Sequence, residues 1–181
     1  TNFNKNLVTP GGFYLGNSAA KHHWNTPSNK ALFAANKLPE TLTHIKAIEV
    51  HSSAQKQQTL YTLQSLRSHD QYNTTIYGMN DRYRGIVNAR NILFINKKDA
   101  LKQGFENNQE VDITSIWPDN QHRMVSNFRL CFYDIPQGNL AAYYPETNPL
   151  IPLDSVGDRS FTPTSKSVAV ILNKAKYPNL L

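Results

Sequence analysis

The sequence predicts a mainly β protein, folded as one small closed barrel behind an extended N-terminal connector. Five or six short segments alternate apolar and polar residues and are separated by tight turns, a pattern typical of small barrels. With 181 residues, of which 39% are hydrophobic, the chain is long enough for one well-packed core and too short for two ordinary domains. Charged residues make up only 18%, which excludes a disordered chain.

The predicted elements follow in order. Residues 1–56 are rich in Asn, Gly, Pro and Ser and are interpreted as the connector, with a turn at 25–30 that leads into a short strand at 31–33. The predicted barrel occupies 57–181. Its strands are expected at 59–66, 91–95, 110–116, 122–133, 139–144 and 167–173, with a short helix at 97–104 that Asn96 can cap.

Two irregular loops, 67–85 after the first strand and 145–166 before the last, are the candidate functional segments. Arg67 can bind a phosphate with two hydrogen bonds, and the hydroxyls of Thr74 and Thr75 can donate. Gln71, Asn73 and Asn148 carry amides that match a purine or pterin edge. Ordinary surface loops have a similar composition, so composition alone does not decide for a binding site.

The residues do not form a catalytic or metal-binding motif. Cys131 lies in an apolar segment and is interpreted as a buried strand residue. The adjacent His22 and His23 point to opposite sides of an extended chain and have no third ligand at helical spacing. Asp81 is flanked by Arg82 and Arg84, so we expect it to form salt bridges or cap a turn. No catalytic or metal-ligating residue is therefore predicted.

The net charge of +6 suits an anionic partner, but the Lys and Arg residues are scattered rather than clustered. This distribution fits the phosphates of a small cofactor as well as it fits nucleic acid. The apolar runs are far shorter than the roughly 18 residues needed to cross a bilayer, so no membrane partner is expected. Thr1 is not an initiator Met, which indicates a segment of a longer protein.

Long irregular strings resemble one known family. They are Leu66-Arg67-Ser68-His69-Asp70-Gln71-Tyr72-Asn73-Thr74-Thr75-Ile76-Tyr77-Gly78, Asp81-Arg82-Tyr83-Arg84-Gly85 and Ala141-Ala142-Tyr143-Tyr144-Pro145-Glu146-Thr147-Asn148-Pro149-Leu150-Ile151-Pro152-Leu153-Asp154-Ser155. With them, nearly the whole chain resembles the C-terminal molybdopterin-dinucleotide-binding domain of formate-dehydrogenase-like molybdopterin oxidoreductase alpha subunits. The connector string Asn25-Thr26-Pro27-Ser28 also fits, although Asn29 stands where the family has Gly.

The resemblance implies a six-stranded double-psi β-barrel that closes over two molybdopterin guanine dinucleotides holding molybdenum, or tungsten in its place. It implies that Arg67 contacts a phosphate and that Asn73 and Thr74 lie near the pterin. The full set of cofactor-binding residues implied by the resemblance is Ser65, Arg67, His69, Gln71, Tyr72, Asn73, Thr74 and Thr75 in the first loop, Asn148 in the second, and Lys166.

The implied function is cofactor binding for a two-electron reaction of a small substrate, formate being the family's namesake. The partners would be the remaining catalytic domains, which would hold the metal's protein ligand and any iron–sulfur cluster, so this domain alone should have no turnover. Cytoplasmic residence follows from the subfamily only. Two alternatives remain: a stand-alone barrel that binds RNA or a protein partner, and a self-contained hydrolase or decarboxylase, which would need an activated nucleophile.

Overall fold

The computed structural model describes residues 4–5, 8–38, 40, 43–54, 57–73 and 76–177. The chain divides into two compact units, Thr1–Pro39 and Glu40–Leu181. The predicted domain boundary after residue 56 stays a prediction. None of the described helices is long and apolar enough to span a bilayer.

The N-terminal unit has little regular secondary structure. A 3₁₀ turn spans Ala19–Lys21, and the amide of Asn29 donates to the carbonyl of Thr26 at 3.0 Å, which confirms the turn predicted there. Asn29 has a φ of 52°, a left-handed conformation that Asn tolerates better than most residues. The short strand predicted at 31–33 is wrong, because these residues pair with no described strand and Leu32 and Phe33 are exposed.

Six strands of the second unit form a closed barrel, which confirms the predicted fold class. They are β1 (Tyr61–Leu66), β2 (Ile92–Ile95), β3 (Glu110–Ser115), β4 (Met124–Phe132), β5 (Asn139–Tyr143) and β6 (Val168–Lys174). Around the barrel they are ordered β1-β5-β2-β4-β3-β6. Each was predicted from alternating or β-branched residues to within about two residues, the usual uncertainty of strand ends.

The strand pairing repeats itself in the two halves of the barrel. The pairs β1/β5 and β2/β4 are parallel, and the other four pairs are antiparallel. Exchanging β1, β2 and β3 with β4, β5 and β6 converts β1/β5 into β2/β4 and β1/β6 into β3/β4, with the same direction each time, and maps β2/β5 and β3/β6 onto themselves. The barrel is therefore an internal twofold repeat with interlocked halves, as expected of the double-psi arrangement.

The interior of the barrel is filled by alternate residues of every strand, because successive side chains of a strand point to opposite faces. The inward residues include Tyr61 and Leu63 of β1, Leu93 and Ile95 of β2, Val111 and Ile113 of β3, Phe128 and Leu130 of β4, Leu140 and Ala142 of β5, and Val168, Val170 and Leu172 of β6. All are nearly inaccessible to solvent. The small barrel is thus a packed core and leaves ligand binding to its loops.

Two short helices accompany the barrel. Helix α2 (Lys97–Lys102) is confirmed, with the Asn96 side chain accepting from the Lys98 amide at 2.9 Å as its predicted cap. Helix α1 (Ile45–Ser53) lies within the segment that was interpreted as extended connector, and that interpretation is wrong for these residues. Ala47 of α1 packs with Trp117 and Ile171 in a cluster on the outside of the barrel.

One buried arginine connects the first loop with the segment that follows β5. Arg90, only 4% exposed, forms a two-hydrogen-bond ion pair with Glu146 at 2.7 and 3.1 Å. It also donates to Ser68 Oγ at 3.0 Å and to the carbonyl of Tyr144 at 2.9 Å. Because the guanidinium donates hydrogen bonds to both segments, it holds the first loop against the segment that follows β5.

We predict that Arg90→Met lowers the free energy of unfolding by about 3–5 kcal/mol, because Glu146 is left largely buried without its partner. Urea unfolding followed by tryptophan fluorescence would measure this. Arg82→Met is the matched control: its pair with Asp70 is exposed, so the loss should stay below about 1 kcal/mol.

Replacing both partners, with Arg90→Met and Glu146→Leu together, should restore part of the stability, since no uncompensated charge remains. Equal effects of Arg90→Met and Arg82→Met would contradict the role given to Arg90.

Candidate functional site: a cationic cavity at the end of the barrel

The strand pairing brings three loops to one end of the barrel. Strands β1 and β5 are parallel, with Leu66 opposite Tyr143, so the chain leaves both strands at the same edge. Strand β6 is antiparallel to β1, and the amide of Ser65 donates to the carbonyl of Ser165 at 2.9 Å. Residues far apart in sequence therefore meet where β1 and β5 end and β6 begins.

A cavity of about 670 Å³ opens at this edge, within the usual size range of small-molecule sites. Its lining combines cationic, amide and hydroxyl groups with a few apolar side chains: Ser65, Leu66, Arg67, Arg84, Tyr144, Asn148, Ile151, Thr162, Pro163, Ser165 and Lys166. Of the ten residues predicted to bind a cofactor, four lie here, namely Ser65, Arg67, Asn148 and Lys166. Ser65 belongs to β1, and the other three come from the two predicted loops.

Asn148 is held at the cavity by the segment after β5. The side chain and amide of Thr147 both donate to the carbonyl of Tyr143, at 3.1 and 3.2 Å. Asn148 begins a 3₁₀ turn, Asn148–Leu150, whose last residue is fully buried in the barrel core. Because Leu150 anchors this turn, the exposed amide of Asn148 has a defined position beside the cavity.

The long loop before β6 supplies the opposite wall. Ser155 and Thr164 are joined by a hydroxyl hydrogen bond of 2.5 Å, and Val156 forms a β-bridge with Pro163. This pairing ties the two ends of the 155–164 segment together and directs the chain back to the cavity, where Thr162, Pro163 and Ser165 line it. The ordered loop predicted at 145–166 is thus part of the site.

Arg67 and Lys166 give the cavity its positive charge. Within the described ranges neither has a carboxylate in salt-bridge contact, whereas Arg82, Arg90 and Arg123 each do. The Lys166 ammonium donates to the carbonyl of Ser65. Partial burial, together with the nearby positive charge of Arg67, lowers the pKa of Lys166 below its usual value. Two neighbouring cations without a carboxylate would be stabilised by an anion.

Arg84 is a third cation at the cavity, and it is paired. It contacts the buried Asp81 at 2.5 Å, as the sequence predicted, and its Nη1 also lies 3.4 Å from the carbonyl of Arg67. The phenol of Tyr143 donates to the same carboxylate at 2.9 Å. Burial alone would raise the pKa of Asp81, but the hydrogen bonds from Arg84 and Tyr143 outweigh it, so its pKa lies below the usual value.

The other predicted residues lie elsewhere in the first loop. Gln71 is buried, accepts from Arg90 at 3.3 Å and donates to the carbonyl of Tyr144 at 3.0 Å. The ring of His69 packs on Tyr83 with centroids 3.8 Å apart. Tyr72 and Asn73 are exposed. Thr74 and Thr75 lie outside the described residues.

Sequence reasoning missed Arg84, Tyr144 and the wall formed by Thr162, Pro163 and Ser165 as cavity residues. The sequence places Arg84 in the polar first loop and predicts it as a partner of Asp81, without a cofactor contact. Its distance of 17 residues from Arg67 along the chain gives no periodic signal for their proximity. Among the residues whose placement is described, no three His, Cys, Asp or Glu side chains are grouped to hold a metal ion.

The chain is similar over nearly its whole length to part of larger proteins. It is 41% identical over 175 residues, 94% of its length, to an uncharacterized oxidoreductase of Mycobacterium tuberculosis, and 36% identical over 172 residues to the protein YdeP of Escherichia coli. It spans 21% of the length of each of these relatives. The chain is thus related by sequence to a part of larger proteins, of which the mycobacterial one is named an oxidoreductase.

A likeness of fold extends to a solved structure. Acetylene hydratase from Pelobacter acetylenicus matches 77% of the chain with a TM-score of 0.51 and 12% sequence identity, and the match covers 21% of that enzyme. At this identity the likeness concerns the fold alone. No protein-family model matches the chain.

We predict that Arg67→Gln raises the pKa of Lys166, because a like charge beside it is removed, while the remaining burial keeps that pKa below its usual value. Titration of the Lys166 side chain by nitrogen-15 NMR measures the change. Arg82→Gln, which removes an equal charge outside the cavity, should leave it unchanged. A pKa that fails to rise in Arg67→Gln would show that the two cations do not interact.

Proposed function

We propose that this chain is a molybdopterin-oxidoreductase-related domain that binds and orients the guanine dinucleotide form of the cofactor. The observation that carries the proposal is the cavity itself, where Arg67 and Lys166 stand without carboxylate partners, within the described residues, beside the amide of Asn148. The sequence relationship to oxidoreductases supports the redox part of the proposal. The resemblance of the loop strings supports the identity of the cofactor.

The residues of the cavity fit the chemistry of such a cofactor. Phosphates require cationic donors, which Arg67 and Lys166 supply, and Arg67 can offer two parallel hydrogen bonds. A pterin or guanine edge requires paired donors and acceptors, which the amide of Asn148 supplies. The hydroxyls of Ser165 and Thr162 add donors that can turn toward either group.

When bound, the cofactor would supply two-electron redox chemistry through a molybdenum or tungsten ion. This chain's own contribution is to hold the dinucleotide by its phosphates and ring edges, and to present it to the rest of a larger protein. The substrate pocket and the metal's protein ligand belong to that remainder in our proposal. A small molecule such as formate is the proposed substrate class, and the isolated domain is expected to have no turnover.

The test is the cofactor content of the full-length protein that carries this chain, purified from a host able to make the cofactor. We expect nearly one molybdenum or tungsten and about two guanine nucleotides per chain. Arg67→Ala and Asn148→Ala should each lower the retained nucleotide severalfold, because each removes a direct contact. Arg82→Ala, an exposed arginine outside the cavity, should retain the full amount.

A folded, soluble full-length protein with neither metal nor guanine nucleotide would overturn this proposal. In that outcome the alternative function of the cationic cavity is to bind single-stranded RNA or an acidic protein segment.

A further inference from the structure

Arg84 differs from the two other cations of the cavity because an ion pair with the buried Asp81 holds its guanidinium in place. Its Nη1 atom is engaged by Asp81 at 2.5 Å and approaches the carbonyl of Arg67 at 3.4 Å. No described residue accepts from its Nη2 or Nε atoms, so these donors remain for a ligand in the cavity that Arg84 lines. An arginine offers five N–H donors in a rigid plane, and fixing one end orients the others.

The support behind Arg84 is itself rigid. Asp81 is 1% exposed, its backbone pairs with Ile86 in an isolated β-bridge, and its carboxylate accepts from the phenol of Tyr143 at 2.9 Å. Burial and the hydrogen bond to Asp81 raise the pKa of Tyr143, so its phenol stays protonated and keeps donating. Tyr143 is fully buried at the end of β5. The position of Arg84 is thereby tied to the barrel rather than to its own loop.

Four charged side chains at and beside the cavity determine its net charge. Arg67, Arg84 and Lys166 carry three positive charges and Asp81 carries one negative charge, which leaves two positive charges for a ligand. The net positive charge suits an anionic ligand, and three separate cationic donor groups match a diphosphate better than a phosphate monoester, which offers fewer oxygens spread over a shorter distance.

We infer that Arg84 is a ligand-binding residue of this cavity and that Asp81 and Tyr143 are the residues that position it. Beside the general phosphate contacts of Arg67 and Lys166, Arg84 is the donor group that selects a diphosphate ester over a monophosphate. The inference rests on the proposed function, which it deepens by assigning the residues that read the diphosphate. Asp81 and Tyr143 act through Arg84 and need no contact with the ligand.

The experiment uses the 181-residue chain and three probes that differ only in phosphate number, namely GDP, GMP and guanosine. Binding is followed by proton–nitrogen NMR, which detects dissociation constants into the millimolar range and observes the Nε–H group of Arg84 directly. We expect the wild-type chain to bind GDP about tenfold more tightly than GMP, with guanosine weaker still, and the Arg84 signal to shift with GDP.

Arg84→Ala should weaken GDP binding about tenfold and remove most of the preference for GDP over GMP. Arg82→Ala is the matched control, since this neighbouring arginine lies outside the cavity, and it should change neither value. Arg67→Ala should weaken both GDP and GMP, which distinguishes the general phosphate contact of the proposed function from the selectivity assigned to Arg84.

The positioning role is tested by combination. Asp81→Asn and Tyr143→Phe keep the volume of each side chain but weaken the ionic or phenolic support, and each should lower GDP binding severalfold. Combined with Arg84→Ala, neither should cause a further loss, because residues that act through Arg84 have no effect once it is gone. A purely structural role would instead add its loss to that of Arg84→Ala. Thermal unfolding checks that each variant remains folded.

The outcomes separate the two proposals. If the wild-type chain binds none of the three probes at millimolar concentration, this inference falls, and the proposed function is decided separately by the cofactor content of the full-length protein. If Arg67→Ala weakens binding while Arg84→Ala leaves the preference for GDP intact, the inference alone is overturned and the proposed function stands.

Discussion

The ion pair between Arg90 and Glu146 is the constraint on which the loops around the cavity depend. Arg90 is almost fully buried. Its guanidinium contacts Ser68 and Gln71, which follow β1, and the carbonyl of Tyr144, which follows β5. It also lies over the rings of Tyr77 and Tyr143, 4.0 and 4.8 Å from their centroids. A buried cation with several satisfied donors fixes geometry even where its net contribution to stability is small.

The barrel determines which loops can meet, and the buried pair determines how they meet. In an ordinary antiparallel meander, consecutive strands would send neighbouring loops to opposite ends. Here the parallel pairing of β1 with β5 puts the segments beginning at Arg67 and Tyr144 at one edge, and the antiparallel β6 returns Lys166 to it. Convergence of the cationic residues is thus a consequence of the interlocked topology, because no local feature of the first loop would bring Lys166, about a hundred residues away, to Ser65.

Sequence patterns predicted the strands well and the site only in part, for physical reasons. A barrel with one apolar interior imposes a strict alternation, which residues such as Leu63, Val111 and Val170 make visible. Helix α1 has a mostly polar sequence and is stabilised by packing of Ala47 against Trp117, a tertiary contact that no local pattern reveals. Arg84 was missed as a cavity residue because its orientation depends on Tyr143, 62 residues from Asp81 along the chain.

Gln71 is a loop residue that the sequence predicts to bind a ligand and that instead forms hydrogen bonds within the protein. The sequence assigned its amide to a ligand edge, yet both ends of that amide are used inside the protein, by Arg90, by the Ser68 amide and by the Tyr144 carbonyl. Among the described residues of the loop, no buried side-chain donor or acceptor lacks a partner in the absence of a ligand. Two cations of the cavity are also held in place, Arg84 by Asp81 and Lys166 by the carbonyl of Ser65. A ligand would therefore meet two charges that are already positioned, which lowers the entropic cost of binding.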